Sequence, residues 1–172
     1  MSSEIKRLLK FLIVILFVLG FVAGISVKAA DTASVTATVT AQNISVTVND
    51  GTVAYGTISL SSSKDTTTSG TNDSQTATNN GNVTENFNIK GQDSANWTLA
   101  ATAGPDQYVH SFCTSNCDSS PTWTPLTTNY QTLGTGVTPS GNVVFDLKIN
   151  TPTSTTNFTQ QSVNVVVQAV AP

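Results

Sequence analysis

After Arg7 the chain contains no arginine, and residues 30–172 hold one histidine, His110, and one glutamate, Glu85. General acid–base and nucleophilic catalysis need a base beside an oriented nucleophile, and a metal centre needs several ligands converging on one point. So small an inventory offers no catalytic set and no nucleophile-elbow motif. It predicts a non-enzymatic protein with no cofactor. Only Lys64, Lys90 and Lys148 stand against nine carboxylates in residues 30–172, which leaves that region at −6. An acidic, arginine-free surface excludes nucleic acid and anionic membrane as natural partners. Helical periodicity is missing past residue 30, which excludes a helical core. No cysteine directly follows the apolar run of residues 11–27, which argues against a lipoprotein, and no glutamate interrupts that run in the manner of a type IV pilin.

What is present first is an address. Lys6, Arg7 and Lys10 precede the apolar residues 11–27, and Val27-Lys28-Ala29-Ala30-Asp31 supplies small residues suited to a signal peptidase. Residues 1–29 therefore read as a signal peptide cut after Ala29 or Ala30, or as an N-terminal membrane anchor of one hydrophobic helix if uncleaved. Positive charge before the run leaves the N-terminus inside and sends residues 30–172 out. A secreted or cell-surface location is expected either way, with membrane contact only through an uncleaved leader.

Residues 30–172 alternate apolar and polar side chains with period two, the signature of half-buried strands. Val35, Ala37, Val39 and Ala41 share one face, and Ile44, Val46 and Val48 another. Asp50-Gly51 marks a turn with positive φ at the glycine. Val53, Tyr55, Ile58 and Leu60 predict a strand bulged at Gly56. Further alternation covers 83–90, 96–102 (Trp97, Leu99), 107–112 (Tyr108, His110, Phe112), 142–150 (Val143, Phe145, Leu147, Ile149 opposite Val144, Asp146, Lys148) and 161–170. Residues 61–82 are nearly devoid of apolar side chains and read as a long loop, or as a solvated edge strand near 73–78. Residues 113–141 read as a decorated loop with one short strand near 129–133. The expected fold is all-β: a single two-sheet antiparallel sandwich, immunoglobulin-like or jelly-roll-like, over residues 30–172.

Three constellations bear on function. Cys113 and Cys117 are the only cysteines, and in an exported domain an isolated pair reads as a disulfide. The alternative is a metal site in which His110, Cys113, Cys117 and Asp118 supply nitrogen, sulfur and oxygen ligands. Trp123, between Pro121 and Pro125, and Tyr130 are the aromatics best placed to stack on a sugar, whereas Trp97 is in phase with Leu99 and reads as core. Finally, residues 31–41 are small, β-prone and would lie at a free end after cleavage. Such a segment either pairs within its own sheet or adds to the sheet edge of a neighbouring molecule.

Residues 77–90 (Ala-Thr-Asn-Asn-Gly-Asn-Val-Thr-Glu-Asn-Phe-Asn-Ile-Lys) and then Asn96-Trp97-Thr98-Leu99 resemble the turn, alternating strand and W-T-L pattern of bacterial and archaeal immunoglobulin-like surface modules of the cell-adhesion-related type. In that pattern Asn-Gly makes the turn and Trp97 caps the core. Trp97-Thr98-Leu99 is also similar to the W-x-L motif of cell-wall-binding domains. Those carry two such motifs and this chain has one, since Trp123-Thr124-Pro125 does not supply the second. The resemblance implies an exported structural or adhesive protein without catalytic residues. Its expected partners are other surface proteins, copies of itself, or a cell-surface glycan.

Overall fold

A computed structural model describes residues 3–10 and 31–172. The apolar run 11–27 and the cleavage positions at Ala29 and Ala30 lie outside the described residues. A short helix covers 3–10. The chain divides into two units, Met1–Val39 and Thr40–Pro172, and the second carries all the strands.

Ten strands follow: β1 (Val46–Asn49), β2 (Ser63–Asp65), β3 (Gln75–Asn79), β4 (Glu85–Lys90), β5 (Thr98–Leu99), β6 (Gln107–Cys113), β7 (Thr124–Pro125), β8 (Gln131–Val137), β9 (Asn142–Asn150) and β10 (Val166–Val170). They form two sheets packed as an all-β sandwich, as the alternation predicts. The larger runs β1-β3-β9-β6-β5, and the smaller is β10-β4-β8. All pairings are antiparallel except β5 with β6, which is parallel.

β9 organises the larger sheet. Along one side its first half pairs with β3 and its last three residues with β2, while β6 pairs with its second half on the other side. The break between β2 and β3 falls opposite Asp146 and Leu147. There Thr66 takes over the ladder: its N–H donates to the Leu147 carbonyl, and its hydroxyl oxygen accepts from the Leu147 N–H. The same hydroxyl and that of Ser74 donate to the Asp146 carboxylate at 2.8 and 2.7 Å. Asp146 is thereby buried, contrary to the outward face that strict alternation gives it. Two charge-assisted hydrogen bonds offset its loss of water.

The core lies between the sheets. Phe87 and Ile89 of β4, with Leu133 and Val137 of β8 in the same sheet, form one cluster with Phe145 and Leu147 of β9, Ala77 of β3 and Phe112 of β6. Each element follows from period-two alternation with β-branched or aromatic residues on the inner face. β3 departs from that pattern. It is neither loop nor edge but runs between β1 and β9, and its inner face is Gln75, Ala77 and Asn79. The two amides replace apolar bulk with hydrogen bonds to nearby backbone. Gln75 accepts from Gly51 N–H and donates to Thr52 O. Asn79 donates to Val83 O and Val137 O and accepts from Gly81 N–H.

Other expectations are corrected. Residues 51–59 form no strand, although Val53 and Tyr55 still pack on the core. Asp50 and Gly51 both take positive φ, 68° and 69°, so the turn is present but leads into irregular chain. Gly81 is required for space rather than for φ. A Cβ there would collide with Glu85 Oε1 and the Asn43 carbonyl. Trp97 sits at the rim, half-buried, its indole N–H directed to Thr155 Oγ1 at 3.3 Å. The region 113–141 holds two strands, and β8 is longer than the sequence suggests. The segment 34–41 is not a strand at all.

Candidate functional site

The end of β6 gathers the residues considered for metal. Cys113 and Cys117 are joined in a disulfide, Cα–Cα 5.8 Å. The bridge closes a five-residue loop, for which chain entropy gives about 2 kcal/mol. With both sulfurs bonded to each other, neither is a thiolate able to ligate. The other two members point elsewhere. Asp118 accepts from the Thr68 N–H at 2.7 Å and its hydroxyl at 2.9 Å, and these bonds hold its carboxyl below the usual range. His110 faces Tyr55, Nε2 to hydroxyl 3.0 Å. The four therefore do not form a ligand set, and no group of three or more His, Cys, Asp or Glu among the described residues is placed to hold a metal.

His110 is a structural histidine. Its ring packs edge-on against Tyr55 and beside Tyr108, with centroids 5.9 and 6.4 Å away, and its Nδ1 is buried without a partner among the described residues. Burial lowers its pKa from 6.5 to about 4. Burial, with Asp65, Asp73 and Asp146 nearby, pushes the Tyr55 hydroxyl far up, so this pair stays neutral. From pH 6.5 downward the unfolded chain takes up a proton that the fold refuses until about pH 4. Stability therefore falls as pH drops through that window, by about 3 kcal/mol across it. Urea denaturation at pH 7, 5.5 and 4 should show this fall, and His110→Gln should flatten much of it. An equal fall in the variant would remove His110 as its source.

The two candidate stacking aromatics are each matched with a lysine. Lys148 Nζ of β9 lies 5.7 Å from the Trp123 ring centre, and Lys90 Nζ of β4 lies 4.7 Å from that of Tyr130. These are cation–π contacts to lysines of different sheets. A sugar face would displace an ammonium or use the opposite side of a ring.

The third candidate is the segment beginning at Asp31. Residues 31–44 are exposed throughout, with Val35 and Val39 at 94% and 96%. Among the described residues, no strand pairing involves residues 31–45. The first ties to the sandwich are at Ala41 and Asn43. Asn82 Nδ2 donates to Ala41 O, while the Asn43 N–H donates to Asn82 Oδ1 and the Asn43 carbonyl accepts from the Asn82 N–H. An apolar–polar alternation that should bury one face leaves both in water. No protein-family model matches this chain, and no curated protein or solved structure shows significant similarity to it.

Sequence reasoning located the cysteine pair, the aromatics and the free segment. It missed the lysines over the rings and the Tyr55–His110 pair, because each joins residues distant in sequence and lacks a local pattern.

Proposed function

We propose that this protein is an exported, non-enzymatic structural or adhesive component of a cell surface that assembles with copies of itself through residues 31–41. The observation that carries this reading is the exposure of Val35 and Val39 on a strand-like segment with no strand partner among the described residues. A β-alternating segment gains little in water alone, whereas pairing with an open sheet edge satisfies its backbone and buries its apolar face. The leader-like N-terminus, the disulfide and the arginine-free acidic surface all suit a domain outside the cell. The likeness of residues 77–99 to surface modules points the same way. The two sulfurs are bonded to each other, and Asp146 accepts from two hydroxyls.

The test is the full chain carrying Val35→Asp and Val39→Asp, compared with wild type by light scattering and electron microscopy. Both positions are exposed in the single molecule, so the thermal midpoint should stay within the small change typical of surface substitutions. Wild type should form oligomers or filaments and the variant should remain monomeric. Assembly of the variant to the same extent as wild type would refute the reading.

A further inference from the structure

We infer that the free edge of β10 is the acceptor for residues 34–41 of a second copy. This rests on the self-assembly reading above and names the surface that completes it.

β10 is the outer strand of the smaller sheet and pairs with β4 alone, Val167 opposite Ile89 and Ala169 opposite Phe87. The two β4 residues are fully buried, while their β10 neighbours, with Val165, pack on the core but remain half-exposed. Burial is therefore incomplete along this flank, although β1 lies beside it. The far edge of β10 has no backbone hydrogen bond to any described residue.

Natural sheets protect such edges with lysine, proline, bulges or brevity. Residues 160–171 carry no charge and no proline. The remaining edges are protected. β8 is broken by register shifts and by Gly136 at φ +66°, and Gly134 sits so close to Val143 that no Cβ fits. β2, β5 and β7 are two or three residues long. β1, which lies beside β10, is four residues long and ends at Asp50.

The occupant is specified by fit. Residues 34–41 are an eight-residue alternating run without a charge, long enough to pair along all five residues of the uncharged β10. Val35, Ala37, Val39 and Ala41 would continue the inner face that Val165, Val167 and Ala169 begin. A charged or bulkier strand would fit this apolar, half-open flank less well than this small-residue segment. Because donor and acceptor lie on one chain, the contact can repeat from copy to copy, as a head-to-tail series where the rotation does not close.

The experiment uses full chains. Thr36→Cys or Thr38→Cys molecules are mixed with Val166→Cys or Gln168→Cys molecules and oxidised, with Thr47→Cys of β1 and Thr132→Cys of β8 as alternative acceptors. A disulfide-linked pair between copies is expected with β10 at least tenfold above either alternative, and it should vanish when Val35→Asp and Val39→Asp are added. Preferential linkage to Thr47→Cys or Thr132→Cys, or none to β10 while assembly still depends on Val35 and Val39, overturns the β10 assignment and leaves the self-assembly reading intact. Assembly indifferent to Val35 and Val39 overturns both.

Discussion

Asn79→Ala is expected to cost the fold about 3–5 kcal/mol, a large share of the 5–15 kcal/mol that holds an ordinary domain together. The side chain is 1% exposed and makes three hydrogen bonds to backbone, to Val83 O, Val137 O and Gly81 N–H. Truncation leaves two carbonyls and an N–H without partners where water has little access, and each orphan costs about 1–3 kcal/mol. The bonds also join β3 in one sheet to the end of β8 in the other, so their loss loosens the sandwich as well as a turn. Asn79→Asp keeps the acceptor for Gly81 but gives up both donors, and it should be no better than alanine. Urea denaturation of the full chain measures both, and a loss below about 1 kcal/mol for Asn79→Ala would show that these carbonyls are satisfied without it.

Phe87→Ala should be comparably damaging, about 3–5 kcal/mol through lost burial plus an unfilled cavity. Phe87 is fully buried in the central strand of the smaller sheet. Its cross-strand neighbours are Ala169 on one side and Gly134 on the other, so neither has side-chain bulk to swing into the gap. Relaxation must come from Phe145 or Leu147 across the core, each already packed. Phe87→Leu should recover more than half of the loss. A drop in denaturation midpoint for Phe87→Ala no larger than for an exposed site such as Val144→Ala would contradict this account of the core.

Much of this architecture was legible because water enforces the period-two pattern wherever one strand face is apolar. β4, β9, β1 and β10 were readable for that reason. β3 was not, since its inward residues are Gln75 and Asn79, and burial by hydrogen bonding leaves no hydrophobic trace. Asp146 likewise looked outward because nothing in β9 itself announces that Thr66 and Ser74 cover it. The converse error concerned residues 53–60, where Tyr55 turns to His110 and the backbone leaves the ladder. Residues 34–41 have the alternation of a strand and, among the described residues, no strand beside them, so the pattern alone did not specify a pairing. For the candidate site, the free segment was visible in sequence, but the open edge was not. An edge is a relation between strands, and topology alone reveals it.

The placement of the three lysines of residues 31–172 has one further consequence. Lys64 lies in β2, Lys90 in β4 and Lys148 in β9, the first bonded to the Tyr55 carbonyl and the others held at aromatic rings. Trypsin-like proteases cut after lysine or arginine and need a segment that can adopt an extended fit in their cleft, which exposed loop tips provide and paired strands do not. Every loop of this sandwich is free of both residues. Digestion of the sandwich by such enzymes must wait for strands to come apart, so its rate is set by how often the domain opens rather than by how well it hides its surface.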